Sequence, residues 1–378
     1  MSQIALLTRE PVVNKKRAIT ANRLIAHGPN VASVVETLNS VSDCWPGQYP
    51  VFLSLGRLVP TPEIMNWQMP ANAHIEIPAQ TLGHPQTQAL LPLLQEAGVG
   101  VCLTWFAPGV ALPPEVTWRF VLIDGRKNAT PSGSPGLSLA WGLADVPAFK
   151  QAIANGYDGA SGWFFFKGNP PAKELSPNHA QIIRLLNLVR NNGEIREIEN
   201  VLKQDVALSY KLLRYINSAG FGLMVEIQSF RHAVSILGYD KLNKWLSLLL
   251  VTASRDPGAP AMMQTAIARG RFMEQIGAGF FDEAACDNLF ITGAFSMLNV
   301  LLGATMESLL EEMLLPESVT DALLYDQGEF APFLHLARAC ESFDPHALVA
   351  LAGELQIAPD QLNRAQMMAL GFADSLQA

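Results

Sequence analysis

Proline is distributed very unevenly along this 378-residue chain, and that distribution constrains the fold more than any other feature. Nineteen of the 25 prolines lie in residues 1–180 and six in the remaining 198. Because proline interrupts helix interiors and punctuates short elements, we expect short segments in the first part and longer helices in the second. The sequence therefore predicts two domains, residues 1–172 and 173–378.

Short apolar runs alternate with helical stretches in the first part. Nearly continuous apolar runs are typical of parallel strands that are covered on both faces. The pattern predicts an α/β architecture, either a parallel sheet or a TIM-like (β/α) barrel. The predicted strands are residues 4–7, 51–55, 74–77, 99–105, 118–123, 137–141 and 162–166, and the predicted helices are residues 29–39, 86–97 and 146–155.

One connection in this pattern is too short for a covering helix. Residues 125–136 read GRKNATPSGSPG, which is rich in glycine, proline and serine. We therefore expect the barrel to be incomplete or open at this edge. An unpaired strand there would favour a homodimer, although the loop could also fold over it.

The second part has the apolar spacing of an all-α domain. Its charge is divided, with ten Lys/Arg against six Asp/Glu in residues 181–255, and four against seventeen in residues 256–378. This uneven charge either suits electrostatic docking of a partner or is an ordinary solvated surface. The same two interpretations apply to a candidate partner-binding basic face formed by Lys203, Lys211, Arg214, Lys241 and Lys244.

Several classes of function have no support in the sequence. The four cysteines form no CxxC pair, the seven histidines form no metal-binding motif, and no Walker loop is present, so we expect no metal and no cofactor. A net charge of −8 argues against direct nucleic-acid binding. No signal peptide or membrane span is recognised, and we expect a cytoplasmic protein without a membrane partner.

Two stretches of the second part resemble the core of the HDOD domain, a helical relative of HD phosphohydrolases. They are LKQDVALSYKLLRYINSAGFG and EIQSFRHAVSILGYDKLNKWL, with support from AIARGRFMEQIG. The first part resembles, by the order of its segments, a degenerate EAL domain, the barrel of cyclic di-GMP phosphodiesterases. Its opening REPVVNKKRAITANRLIAHG is similar to that family's first strand and Glu-Ala-Leu helix.

The resemblance implies that most metal ligands of the EAL family are replaced in this chain. Only Glu76 and Asp124 remain as acids, and Arg23 stands at the position of the motif's glutamate. The degenerate positions are Arg23, Ser54, Glu76, Ala79, Thr104, Trp105, Asp124, Trp141 and Ser161. The His-Asp pair of HD enzymes is likewise replaced by Ser296 and Met297.

These replacements predict that the chain is not an enzyme. The leading hypothesis is a bacterial signal-transduction protein, with the barrel as a sensor or docking module and the HDOD domain as the protein-interaction output. Its partners would be other signalling proteins. The alternative is a cyclic di-GMP receptor that binds without hydrolysis, in which Arg23, Trp105 or Trp141 contributes to the affinity. A third hypothesis is a cryptic hydrolase that uses Glu76 and Asp124.

Overall fold

The computed structural model describes residues 4–166, 177–203, 216–217, 227, 229–252, 259–342 and 344–376. The chain forms two compact units. The first contains Met1–Gly168 together with Arg338–Met367, and the second contains Asn169–Ala337 together with Met368–Ala378. The grouping of residues 338–367 with the first unit was not predicted.

The first unit is an eight-stranded closed barrel in which the strands follow one another in chain order. The strands are β1 Leu6–Asn14, β2 Ile19–His27, β3 Val51–Ser54, β4 Ala73–Pro78, β5 Gly100–Thr104, β6 Trp118–Asp124, β7 Leu137–Trp141 and β8 Gly159–Ser161. The helices of this unit are α1 Val31–Ser40, α2 Pro85–Glu96 and α3 Val146–Ala154, with further helices in the C-terminal segment. The sequence therefore predicted the β3 to β7 strands and these three helices closely.

The barrel is closed, so the prediction of an incomplete barrel is wrong. β6 pairs in parallel with β7 from Phe120–Leu137 to Asp124–Trp141. A Cβ on Gly136 would lie 2.1 Å from the Trp118 carbonyl oxygen, so glycine permits the close approach with which β7 begins. The helix-free loop is held by Tyr157, whose hydroxyl donates to the Asn128 carbonyl oxygen at 2.9 Å. Closure depends on the strand ladders, and this edge offers no unpaired strand.

The barrel is mixed and departs from the parallel arrangement of a TIM barrel. β1 pairs antiparallel with both β2 and β8, whereas the other neighbours are parallel. A parallel pair needs a crossover of a dozen or more residues, and only four residues separate β1 from β2. The Asn14 side chain accepts the backbone N–H groups of Lys16 and Ala18 in this tight turn. Arg23 consequently lies on a strand, and not on a Glu-Ala-Leu helix.

The end of the barrel sequence also differs from the prediction. The strand predicted at residues 162–166 is instead β8, Gly159–Ser161, followed by a short 3-10 helix, Phe164–Phe166. Phe164 stacks on Phe149 of α3 with ring centroids 4.8 Å apart. The apolar run therefore reflects packing against α3 and not a strand.

The described part of the second unit is helical. The helices in chain order are α4 Pro177–Arg190, α5 Ile195–Lys203, α6 Phe230–Val251, α7 Ala259–Gly277, α8 Glu283–Phe295, α9 Leu298–Leu302, α10 Met306–Glu311, α11 Glu317–Leu324, α12 Ala331–Cys340, α13 Pro345–Glu354 and α14 Pro359–Ser375. α12 and α14 lie partly, and α13 entirely, in the segment that groups with the barrel. α6 has a kink at Gly238, whose φ is 74°. Among the described residues, no helix is both long and apolar enough to cross a membrane.

Candidate functional site

Two groups of polar side chains lie on the barrel strands or directly after them. The first, which we call the interior ion cluster, consists of Glu10, Arg23, Glu76 and Ser161 from four different strands. The second, which we call the rim group, consists of Trp105, Asp124, Arg126 and Trp141. Below them, the barrel interior is filled by a packed core. Its members are Val12, Ala21, Phe52, Cys102, Leu122 and Leu139, with Phe120 packed against them.

Arg23 is the centre of the interior ion cluster. Its guanidinium donates to both carboxylate oxygens of Glu76, at 2.6 and 2.8 Å, and to Glu10 Oε2 at 3.1 Å. Burial by itself lowers the pKa of Arg23, but the two carboxylates outweigh it and raise the pKa above its ordinary value. Arg23 is therefore a permanent cation that neutralises one of two buried negative charges.

Glu10 is the member of the cluster that sequence reasoning missed. Its Oε2 accepts from the Ser161 hydroxyl at 3.0 Å as well as from Arg23, whereas its buried Oε1 has no hydrogen-bond partner among the described residues. A signal existed in the sequence, because Arg9 and Glu10 are charged residues between the apolar pairs at the two ends of β1, Leu6–Leu7 and Val12–Val13. A charge at such a position indicates an ionic partner inside the barrel.

The rim group combines two aromatic rings with an arginine. Trp105 lies at an angle to Trp141, with ring centroids 4.7 Å apart, and Arg126 Cζ lies 4.8 Å from the centroid of the Trp141 ring. Trp105 is 46% exposed and has a left-handed backbone, with φ of 56°. This sparsely populated conformation places a large aromatic side chain at the end of β5 with much of its surface in solvent.

Asp124 fixes the arginine of this group. Arg126 donates from Nε and from a terminal nitrogen to the two Asp124 oxygens, each at 2.9 Å. The hydrogen bond from Arg126 lowers the pKa of Asp124, although burial acts in the opposite direction. The arginine is thus oriented by one carboxylate and one ring while its side chain stays 57% exposed. Arg126 was not predicted.

The remaining degenerate positions of the barrel, Ser54, Thr104 and Ala79, make no hydrogen bond to either group among the described residues. Ser54 is buried at the end of β3, where its hydroxyl accepts the Gly56 N–H at 3.3 Å. Thr104 is buried at the end of β5, and Ala79 lies half-buried in the turn after β4. Among the residues that the structure describes, no group of three or more His, Cys, Asp or Glu side chains is placed to hold a metal ion.

In the helical unit, Ser296 and Met297 are packed into the fold. The Ser296 hydroxyl accepts from Arg269 and donates to the Gly293 carbonyl oxygen, each at 2.6 Å. Met297 is buried. This position is thus occupied by a hydrogen-bonded hydroxyl and an apolar side chain.

The residues of the candidate basic face that the structure describes differ in their exposure. Lys244 is buried, where it pairs with Glu274 and with Asp287, the latter at 2.8 Å, so it does not belong to an exposed surface. Lys241 is half-exposed and pairs with Glu283 at 3.0 Å. Lys203 is the last residue of α5, and its side chain is not among the described parts of the structure. Lys211 and Arg214 lie outside the described residues.

Comparison with known proteins identifies the helical part. Residues 175–315 match the model of the HDOD domain. The chain is 30% identical over 214 residues to the cyclic di-GMP phosphodiesterase CdgJ of Vibrio cholerae, covering 56% of this chain and 50% of that protein. It is 25% identical over 199 residues to the uncharacterized protein YuxH of Bacillus subtilis, covering 51% and 48% respectively. The chain therefore spans about half the length of these curated relatives.

A solved HDOD domain protein of unknown function from Geobacter sulfurreducens is 18% identical to this chain. The match covers 54% of this chain and 72% of that one, with a TM-score of 0.26. The comparisons also correct one prediction. The expectation that the chain is not an enzyme is contradicted by its relative from Vibrio cholerae, which is named for a phosphodiesterase activity.

Proposed function

We propose that this chain is a signal-transduction protein that responds to cyclic di-GMP. In this proposal the barrel is the sensor or docking module, and the HDOD domain is the output that contacts partner proteins. The observation that carries the proposal is the rim group, in which the exposed Trp105 ring and the oriented, exposed Arg126 guanidinium both contact the ring of Trp141. The name of the Vibrio cholerae relative supports cyclic di-GMP as the ligand.

The chemistry of the rim group suits a nucleotide. Indole rings stack on purine bases, and an arginine binds phosphate oxygens through its remaining N–H groups. Asp124 occupies two donors of Arg126, which leaves one terminal nitrogen directed away from this pair. Trp105 and Trp141 would then contact a guanine base, and Arg126 would contact the phosphodiester.

A second candidate function is hydrolysis of cyclic di-GMP, which the name of the same relative favours. In this reaction, water adds across one P–O bond of the cyclic phosphodiester and gives a linear dinucleotide with a terminal phosphate. Glu76 and Asp124 are the acids available at the carboxyl ends of the strands. Each holds an arginine, so either ion pair must open before its carboxylate contacts water or a cation.

A calorimetric titration of the full chain with cyclic di-GMP, with and without magnesium, tests both functions. Saturable heat without magnesium is the expected result, and flat titrations in both conditions would overturn the proposal. Chromatography of the same samples measures the linear dinucleotide. Magnesium-dependent turnover that is lost in Glu76→Gln, with binding retained, would establish the hydrolytic function.

A further inference from the structure

The two halves of β1 are held by different parts of the chain. Towards β8, only Val12–Asn14 of β1 has strand partners, because β8 is three residues long. Pro11 still accepts the Gly162 N–H on this side at 3.1 Å, whereas Leu6–Glu10 pair with β2 and have no second strand partner among the described residues. Their opposite edge is covered by the C-terminal segment Arg338–Met367, which we call the C-terminal strap.

Side-chain amides of the strap replace a missing strand at this edge. Asn363 Oδ1 accepts the Leu7 N–H at 2.9 Å, and Asn363 Nδ2 donates to the Ala5 carbonyl oxygen at 2.8 Å. One primary amide thereby bonds Ala5, directly before β1, and Leu7 within it, as a residue of a parallel strand would. Gln366 Nε2 adds a bond to the Leu7 carbonyl oxygen at 2.8 Å.

A buried ion pair links the strap to the residue beside Glu10. Arg9 donates to Glu341 Oε1 at 2.9 Å, with both side chains buried, and Arg9 Cζ lies 5.7 Å from the centroid of the Trp163 ring. Successive strand residues point to opposite faces. Arg9 therefore faces the strap, whereas the next residue, Glu10, faces Arg23 in the barrel interior.

The attachment of the strap is incomplete in its polar contacts. Among the residues that the structure describes, Gln366 Oε1 is buried without a hydrogen-bond partner, and so is Glu10 Oε1 on the other face of β1. Each unsatisfied buried oxygen raises the free energy of the docked state, because it loses its contact with water. Release of the strap would restore hydration to Gln366.

We propose that the C-terminal strap is a releasable element that controls how firmly β1 holds Glu10 against Arg23. Release of the strap would free the edge of β1 and loosen the contact between Glu10 and Arg23. This inference does not depend on the ligand of the rim group. It assigns a regulatory role to a part of the chain that lies far from the barrel in sequence.

Hydrogen exchange of the full chain, followed by mass spectrometry, tests this role. In Asn363→Ala, exchange in residues 5–11 should accelerate by about tenfold, since two hydrogen bonds to that edge are lost. Residues 19–27, which pair with β1 and include Arg23, should accelerate as well. Residues 73–78 and 100–104 should keep the wild-type rate. The control is Arg364→Ala, in the same helix as Asn363. It removes an exposed pair with Asp43 and no bond to β1, so all rates should remain unchanged.

Three results would overturn the proposal. The first is unchanged exchange in residues 5–11. The second is equal acceleration throughout the barrel, which would make the strap part of one cooperative core. The third is acceleration in β1 that does not extend to residues 19–27. If Asn363→Ala does not fold, Gln366→Ala is the second variant, with the same expected pattern. Its lost bond joins the same residue, Leu7.

Discussion

Arg23 and Glu76 form a bidentate ion pair inside the barrel, with donor–acceptor distances of 2.6 and 2.8 Å. The two residues are 53 positions apart and lie on β2 and β4, with β3 between them. Two parallel hydrogen bonds orient both planar groups, which makes such a pair geometrically specific. Because Glu10 contacts the same guanidinium, the stability of three strands depends on a single cation.

Replacement of this cation should strongly destabilise the barrel. Arg23→Met leaves Glu10 and Glu76 buried without their partner, and the expected loss is about 3–5 kcal/mol of unfolding free energy. Urea unfolding of the full chain measures it. The matched control is Arg364→Met, whose pair with Asp43 is exposed and screened by water, so its loss should change the unfolding free energy little. A loss for Arg23→Met no larger than that of the control would contradict this interpretation.

The ion pair of Asp124 with Arg126 should make stability depend on pH. Arg126 lowers the pKa of Asp124 in the folded state. The contribution is therefore present above the unfolded pKa, about 3.9 for an aspartate, and is lost as the pH falls through the lower folded value. The difference in Tm between the wild type and Arg126→Met should be largest near neutral pH and should shrink below about pH 4. A difference that stays constant down to pH 3 would argue against this assignment.

The rim group should determine nucleotide affinity if the proposed function is correct. Trp141→Ala removes the ring that contacts both Trp105 and Arg126, and should weaken cyclic di-GMP binding about tenfold or more, because stacking contributes about 1–3 kcal/mol per base. Calorimetry measures the change. Trp67→Phe, at a buried position outside the rim group, serves as the control and should retain wild-type affinity. Equal affinity of the wild type and Trp141→Ala would exclude this ring from the site.

Trp105→Gly should weaken ligand binding without lowering the stability of the barrel. The Trp105 backbone has φ of 56°, a conformation that costs a non-glycine residue about 1–2 kcal/mol. Glycine relieves this cost, whereas the tryptophan side chain is only half-buried. We expect an unchanged or higher Tm together with weaker binding of cyclic di-GMP. A lower Tm would show that packing of the ring outweighs the backbone strain.

The helical unit should be sensitive to a methyl group where α7 crosses α8. A Cβ on Gly293 would lie 2.7 Å from Gly270 Cα and 2.8 Å from the Arg269 carbonyl oxygen. Gly293→Ala should therefore cost about 1–3 kcal/mol, because backbone atoms cannot move aside cheaply. Gly353→Ala is the control, since nothing lies within 4 Å of its Cβ position and alanine is the better helix former. Calorimetric unfolding compares the two, and equal Tm values would contradict the prediction.

The candidate site was predicted from the sequence only in part. Arg23, Glu76 and Ser161 were singled out separately; Arg23 pairs directly with Glu76, and Glu10, which was not singled out, joins Arg23 to Ser161. Asp124 and Trp141 were also singled out, and Arg126 contacts both. In both groups the missed residue contacts side chains of two different elements, which no spacing along the chain reveals.

The local elements of this protein follow from nearby residues in the chain. Proline placement and apolar runs act within a few residues, so they predicted the alternation of strands and helices and a helical second part. The closure of the barrel, the antiparallel β1, the neutralisation of Glu76 by Arg23 and the attachment of Asn363 to Leu7 became visible only in the folded chain. These features depend on strand register and on contacts between residues as many as 356 positions apart. Their free energy is set by which side chains meet after the chain has folded, and no local pattern encodes that.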